Sequence, residues 1–377
     1  MSSFSDQNGR RRLAILGATG SVGRSAIAVA QAYSNRFQTV CVTCARQGKK
    51  LQKIAQELHA RYCFCAFDAS VSNVGSEDEL CELLAGPEID VVLCAIQGLG
   101  ALKPVLAALR AGKTVCLATK EVLVAAGEWV METARQHGGR ILPVDSEHCA
   151  IFQCLRHEDH DALRRMILTC SGGPFYRCAS EKLHAVTPAE TERHPTWAMG
   201  PKITLDSATL MNKAFEVMEA AWLYGVPESQ IEVVIHPQAL IHSMVEFVDG
   251  AVLAQLGPTD MRLPIQYCLT YPERFPSLMR PLDFASPMSM EFLPLDDQRF
   301  PAIDLARRAL RMGGLAGAVL NAANDSACRR FREGSLAFDA IVPAIAEALA
   351  HIPAGKADSF AALEQAAQIA AETVKKY

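Results

Sequence analysis

An apolar strand, Leu13-Ala14-Ile15-Leu16, runs straight into Gly17-Ala18-Thr19-Gly20-Ser21-Val22-Gly23, and a helical pattern follows through Ala26, Ile27, Val29 and Ala30. Glycines at such a junction let backbone amides approach a pyrophosphate, which then sits on the helix N-terminus. The spacing G-x-x-G-x-x-G is a relative of the dinucleotide fingerprint, and strand before and helix after supply its context. A plain strand–helix turn is the alternative reading. The alternation continues with a helical stretch over 50–58, an apolar strand over 89–96, and a helix over 102–110 stopped at Gly112. A strand over 114–118 and a helix to about residue 136 follow. Apolar strands alternating with helices predict a parallel sheet covered on both faces. The expectation is an α/β chain that opens with a Rossmann-like domain.

In such sheets ligands sit at the carboxyl ends of strands. The second strand, over 39–44, ends in Ala45-Arg46-Gln47-Gly48-Lys49-Lys50, with no acid where an NAD site would bond the ribose hydroxyls. A carboxylate would repel a 2′-phosphate, whereas Arg46 can pair with one through two hydrogen bonds. The loop therefore predicts NADP, with an exposed basic loop as the alternative, chiefly for Lys49 and Lys50. Lys120 follows the strand over 114–118, and Arg140-Ile141-Leu142 runs into Pro143-Val144-Asp145-Ser146-Glu147-His148. Two acids two residues apart at a strand end can turn toward one point, as hard divalent cations require of their oxygen ligands. The competing reading has Asp145 or Ser146 capping the next helix.

Residues 166–170 read as a strand ending in Ser171-Gly172-Gly173-Pro174, either an anion nest or a simple turn. Arg193-His194-Pro195-Thr196-Trp197-Ala198-Met199-Gly200 is a loop that carries a tryptophan and a methionine with no periodicity to bury them. It reads as a lid that closes over substrate, or as a loop packed permanently on the body. A helix is expected to open at Asp206 and end at Gly225, with Ser207 at its N-terminus where a phosphate is welcome. Leu210, Met211, Phe215, Met218 and Trp222 form its core stripe; Thr209, Asn212, Lys213 and Glu216 recur on another face. A Lys213–Glu216 surface pair is the bland account. The functional one gives Asn212 and Lys213 to a phosphate and makes Glu216 a third oxygen ligand for the metal.

Strands are read over 231–236 and 242–248, with a hairpin turn at Asp249-Gly250. His236 and His242 lack zinc spacing and read as structural or substrate-lining. Residues 272–301 are proline-rich and aperiodic, a tether, and helical periodicity then runs to Tyr377 through Leu320-Asn321-Ala322-Ala323-Asn324. A net charge of -4 gives no electrostatic case for nucleic acid. No apolar run reaches the roughly 18 residues of a membrane span. A polar start, Ser2 to Asn8, with Arg10-Arg11-Arg12 leading into the first strand, leaves no room for a signal or transit peptide, so a cytoplasmic location is expected. Among 13 cysteines, Cys41 and Cys44 form a C-x-x-C inside a strand, where odd spacing separates them to opposite faces. Buried thiols are expected.

The motifs ILGATGSVG, the Lys120-Glu121 turn, LPVDSEH, SGGPF, RHPTWAMG, DSATLMNKAFE, IHPQALIHSM and LNAAN occur in this order. With them the chain resembles the 1-deoxy-D-xylulose 5-phosphate reductoisomerase family of the non-mevalonate isoprenoid pathway, from Leu13 to about Asn324 and more loosely to the end. The resemblance implies rearrangement and NADPH-dependent reduction of 1-deoxy-D-xylulose 5-phosphate to 2-C-methyl-D-erythritol 4-phosphate. It also implies a manganese, magnesium or cobalt ion and a homodimer. Lys120, Glu147 and His194 would be catalytic, and Asp145, Glu147 and Glu216 would hold the metal. Substrate contacts would come from Lys120, Ser146, Glu147, Ser171, His194, Trp197, Ser207, Asn212, Lys213 and Glu216. NADPH would be lined by Thr19, Gly20, Ser21, Val22, Ala45, Arg46, Gln47, Thr119, Glu121 and Gly200, and Trp197 and Met199 would belong to a flap.

The expected organisation is an NADPH-binding domain at 1–150, a central α+β catalytic metal and substrate domain with the flap at 151–285, a linker at 286–312, and a small C-terminal α-helical domain at 313–377. The chain departs from the family at Thr119, Cys149, Ala239 and Asp325, where Asn, Asn, Ser and Glu are usual; none of these is a metal or phosphate ligand. Rival readings are another NADPH-linked reductase, such as a semialdehyde or homoserine dehydrogenase, and a catalytically silent NADP sensor. The first would not need three converging carboxylates, and the second would be expected to have lost the acids or Lys213.

Overall fold

The structure, a computed structural model, describes residues 9–197 and 199–377; the polar start Ser2 to Asn8 and Ala198 of the tryptophan loop lie outside them. The first part of the chain runs β1 (Arg11–Leu16), α1 (Ser21–Ala32), β2 (Phe37–Cys44), α2 (Gly48–Glu57), β3 (Tyr62–Cys65) and α3 (Glu77–Ala85). It continues with β4 (Val91–Cys94), α4 (Leu102–Arg110), β5 (Thr114–Leu117), α5 (Glu121–His137), β6 (Arg140–Pro143) and α6 (Ser146–Cys154). Then come β7 (Leu163–Cys170), α7 (Ser180–Leu183), α8 (Pro201–Ala208), α9 (Met211–Tyr224), β8 (Ile231–Ile235), β9 (Ile241–Phe247) and β10 (Val252–Leu256). The last elements are α10 (Arg262–Thr270), β11 (Leu293–Pro294), α11 (Ala302–Met312), α12 (Ala316–Arg332), α13 (Ile341–Leu349) and α14 (Phe360–Lys376). They gather into two compact units. One holds the chain up to Val122, Val130–Cys149 and Asp260–Leu282; the other holds Leu123–Trp129, Ala150–Thr259 and Asp283–Tyr377.

The first unit is an all-parallel sheet in the order β3-β2-β1-β4-β5-β6. Its central strands are buried outright, Leu13 to Leu16 and Val91 to Cys94 alike, as continuous apolar runs predict. Strand order reverses between β1 and β4, and the glycine turn lies there. Gly17 has φ +85, and a Cβ on it would stand 2.4 Å from the Ala95 carbonyl oxygen; one on Gly23 would stand 2.2 Å from that of Gly17. Only glycine fits either place. The sequence reading missed β3 and α3, because Tyr62-Cys63-Phe64-Cys65 is short and mostly half-buried and shows no alternation. The sheet's cover includes α10, from far along the chain: Arg11 donates to the Leu269 carbonyl at 2.7 Å and the Cys268 thiol to that of Pro143 at 3.1 Å.

The second unit holds a mixed sheet in the order β10-β9-β7-β8-β11, with β7 parallel to β8 and antiparallel to β9. The hairpin expected at Asp249-Gly250 joins β9 to β10. The stretch read as a tether is not structureless, since β11 within it pairs antiparallel with β8. The helix expected to open at Asp206 is two helices. Pro201 starts α8, and Leu210, with φ +61, breaks the chain before α9. No glycine or proline marks that break, so periodicity runs through it unnoticed. Helix α12 packs against α13 and α14 and comes so close to Val124 that a Cβ on Gly317 would stand 1.9 Å from its carbonyl oxygen. Gly317→Ala should therefore cost ~2 kcal/mol or more through forced separation of two backbones. A wild-type melting temperature in that variant would refute the close approach. No helix among the described residues is long and apolar enough to cross a membrane.

Candidate active site

The nucleotide edge of the first unit begins at Thr19, Gly20, Ser21 and Val22, between β1 and α1. The Thr19 carbonyl accepts from Arg24 and from Lys50, each at 3.1 Å, so Lys50 is tied to the glycine turn rather than simply solvated. Arg24 escaped the sequence reading because it sits inside a helix pattern. Beyond β2 come Ala45, Arg46 and Gln47. Arg46 is exposed, and its guanidinium lies 5.2 Å from the ring centroid of Phe67, itself 72% exposed. The stack holds a flexible cation over the loop. Phe67 was missed along with β3, which delivers it. Thr119 donates its hydroxyl to the Ile96 carbonyl at 2.5 Å, and Glu121 is the first residue of α5. Gly200, the remaining nucleotide candidate, belongs to the second unit, immediately before α8.

Asp145 follows β6 in the first unit. It caps α6 as the bland reading had it, with Oδ1 accepting from the Glu147 amide at 3.3 Å and the backbone carbonyl accepting from Cys149 at 2.8 Å. It also does more. Lys120 Nζ stands 2.6 Å from Asp145 Oδ2, with only 8% and 11% of the two side chains exposed. Burial alone would raise the Asp145 pKa, but the Lys120 ammonium and then His148 outweigh it and hold the carboxyl well below its usual range. Ser146 donates to Glu147 Oε2 at 2.5 Å. Two acids and a lysine thus meet at the carboxyl ends of β5 and β6.

In the second unit, Ser171 directly follows β7 and precedes Gly172 at φ +84 and Gly173 at φ +67. A Cβ on Gly173 would stand 2.5 Å from the Ser207 carbonyl oxygen, so this turn lies directly on the end of α8. Ser207 is not at a helix N-terminus, as the sequence suggested, but next to last in α8 and 7% exposed. Asn212 and Lys213 occupy the first turn of α9, across the break at Leu210. That break folds the end of one helix and the start of another into a corner carrying Ser207, Asn212 and Lys213. Asn212 donates to Glu216 Oε1 at 2.6 Å, and Lys213 forms an ion pair with Oε2. The pair is no surface bridge: Lys213 is 3% and Glu216 1% exposed.

His194 Nδ1 accepts from the Thr196 amide at 3.1 Å and the Trp197 amide at 2.9 Å, and Nε2 lies 2.9 Å from Ser171 Oγ. A ring nitrogen that takes two amide protons cannot carry its own, so Nε2 holds the proton and donates to Ser171. Burial lowers the His194 pKa to about 4, which keeps the ring neutral. The Trp197 ring lies 6.1 Å from that of His242. His236 is structural, bonded at one nitrogen to the Glu291 carbonyl and at the other to the amides of Leu240 and Ile241. Because the folded pKa of His194 lies below the ordinary 6.5, the loop's stability is complete above that value and is lost as pH falls toward about 4. Fluorescence of Trp197, in a chain with Trp129 and Trp222 replaced by phenylalanine, should be constant from neutral pH to about 5.5 and change below it. A transition centred near 6.5 would contradict the neutral, buried ring.

An all-parallel sheet whose order reverses at a glycine turn defines a dinucleotide-binding protein. The first unit also brings two acids and a lysine together, and the second brings Ser207, Asn212 and Lys213 to one corner. Comparisons with known proteins narrow the class. The 1-deoxy-D-xylulose 5-phosphate reductoisomerase profile matches residues 13–127, and the family's two C-terminal domain profiles match 141–224 and 256–375. The enzyme of that name from Symbiobacterium thermophilum is 44% identical, covering 94% of this chain and 95% of its own. The one from Cupriavidus pinatubonensis is 43% identical, covering 97% and 96%. The solved reductoisomerase of Zymomonas mobilis in complex with NADPH superposes with a TM-score of 0.90 at 38% identity, over 98% of this chain and 100% of that one. A DOX-P reductoisomerase structure with NADPH, fosmidomycin and magnesium gives 0.89 at 36% identity, covering 97% of each chain. The chain belongs to the 1-deoxy-D-xylulose 5-phosphate reductoisomerase family.

Proposed function

We propose that this chain converts 1-deoxy-D-xylulose 5-phosphate to 2-C-methyl-D-erythritol 4-phosphate, using NADPH and a magnesium, manganese or cobalt ion. The observation that carries the reading is the pair of carboxylates that meets Lys120 at the end of β6, Asp145 and Glu147, to which this proposal adds Glu216 as a third ligand. All-oxygen, anionic donors fit a hard divalent cation, and a plain nucleotide-linked dehydrogenase would not need them. When bound, the cation supplies Lewis-acid polarisation of the substrate's oxygens and NADPH supplies the hydride.

The chain's own residues do the rest. Lys120 keeps Asp145 ionised and places a positive charge beside the acids. Ser146 orients Glu147 through its hydroxyl, and Glu147 can take or return a proton there. Ser171, Ser207, Asn212 and Lys213 hold the substrate phosphate. Neutral His194 keeps Ser171 in place and contacts the substrate, and Trp197 and Met199 exclude water when the flap closes. The glycine turn from Thr19 to Val22 and the loop Ala45, Arg46 and Gln47 take the NADPH phosphates, with Thr119, Glu121 and Gly200 completing its lining.

Labour divides as nucleotide binding, with the acids at its end, at 1–150, the phosphate corner, third acid and flap at 151–285, a linker at 286–312 and a helical domain at 313–377. The chain works in the cytoplasm as a homodimer. For the dimer, β10 offers an unpaired sheet edge with Val252 48% and Leu253 40% exposed, an edge that folded proteins ordinarily cover. The test is NADPH oxidation at 340 nm with 1-deoxy-D-xylulose 5-phosphate, with and without manganese, and with NADH in place of NADPH. Turnover should require substrate and metal together and run far better with NADPH. Turnover of a semialdehyde instead would transfer the chain to the rival dehydrogenase reading.

A further inference from the structure

Helices α8 and α12 meet through a polar cluster that none of the roles above uses. Asp206 is 4% exposed and accepts on both carboxylate oxygens. Its Oδ2 takes Lys202 Nζ at 2.6 Å; its Oδ1 takes Asn324 Nδ2 at 2.8 Å, with the Cys328 sulfur at 3.5 Å. Lys202 Nζ also stands 3.2 Å from Asp325 Oδ1 and 5.6 Å from the centre of the Phe215 ring. Asn324 is wholly buried, so the second asparagine of the LNAAN motif serves this carboxylate and nothing outside.

A buried carboxylate is costly unless its lone pairs are engaged, and apolar packing would join two helices with less desolvation. What the cluster adds is a fixed position for its neighbours in the chain. Ser207 is the next residue. Leu210, whose left-handed backbone is strained for a side chain that bulky, comes three residues later. Such a break keeps one geometry only if both flanks are anchored. Buried packing of Met211, Ala214 and Phe215 holds the α9 side, and the Asp206 cluster ties the α8 side to α12. We infer that Asp206, gripped by Lys202 and Asn324, is a positioning residue for the phosphate corner: it fixes where the Ser207 hydroxyl stands without touching the substrate. The inference rests on the proposed role of that corner in holding the substrate phosphate.

Cohesion alone and positioning make different demands on kinetics. A merely cohesive cluster, when broken, lowers stability and leaves the Michaelis constants alone. A positioning cluster raises the constant for the phosphorylated substrate and spares the one for NADPH. The experiment uses the full-length chain with manganese and compares wild type, Asn324→Ala, Lys202→Met and Lys202→Arg. Asn324→Ala and Lys202→Met should raise the substrate KM about tenfold or more, because a displaced hydroxyl loses its bond to phosphate. Their kcat should stay within about threefold and their NADPH KM within about twofold. Lys202→Arg should recover most of the loss, since a guanidinium can still bond Asp206. Inorganic phosphate, as a competitor, should weaken in step with the substrate.

A substrate KM within about twofold of wild type in both disrupted variants would overturn the inference. So would equal rises for substrate and NADPH. Should Asn324→Ala fail to fold, the Lys202→Met and Lys202→Arg pair decides alone. A wild type that does not oxidise NADPH with this substrate sinks the proposed function instead. The positioning claim is then decided by calorimetry with inorganic phosphate, where equal affinity in wild type and Lys202→Met would overturn it.

Discussion

Glu216→Gln should lower metal-supported turnover by about three orders of magnitude while NADPH affinity stays within about twofold. The amide keeps the shape of the acid and can still meet Asn212, so packing around this residue, 1% exposed, changes little. What is lost is the negative charge, and a neutral amide is a far poorer partner for a hard cation. A second consequence follows from the ion pair with Lys213, itself 3% exposed, which loses the charge of this partner. Breaking a buried pair from one side destabilises by ~3 kcal/mol or more. The two effects separate by measurement: manganese calorimetry reads the first, and thermal unfolding without metal reads the second. Full activity in Glu216→Gln, or in wild type after chelation, would remove Glu216 from the proposed metal site.

Lys213→Met is expected to raise the substrate KM about a hundredfold, the scale of a lost charge-assisted phosphate contact in a buried setting. Methionine fills much of the lysine's volume, so the loss is electrostatic rather than steric. This variant also takes the Lys213 charge away from Glu216, and its melting temperature should fall. The double variant Lys213→Met with Glu216→Gln removes both charges and should regain much of that stability, because an uncharged pair of similar size replaces a buried ion pair. It should remain catalytically dead. Stability that failed to recover would show that the two side chains are not each other's main partner. A near-normal KM in Lys213→Met would place the phosphate elsewhere.

What the sequence made legible follows from how local each signal is. The glycine turn and the buried strands beside it could be read because turn, strand and helix are contiguous between Leu13 and Ala30. The β3 strand had no such signature, and Phe67, which carries Arg46, was lost with it. Asp145 could be read as both a cap and an acid at a strand end, and it is both. The break between α8 and α9 left no trace, because a leucine in left-handed backbone looks like any other core leucine. Part of what flanks it is distant: Asn324 bonds Asp206 from 118 residues away. Lys213 and Glu216 were visible at helical spacing, but their burial comes from tertiary packing that spacing does not encode.

The return of residues 260–282 to the first unit has a consequence for how the chain is made. Helix α10 lies against α1, β5 and β6, so that part of the sheet's cover is missing until the segment has been synthesised. At about 5–20 residues per second, the ribosome adds it on the order of ten seconds after Cys149. During that interval the nascent nucleotide unit carries apolar surface that α10 will later cover, a surface prone to aggregation. A messenger truncated near codon 150 would encode a sheet that never acquires its last layer, and its product should be cleared by proteases rather than persist as a small nucleotide-binding protein.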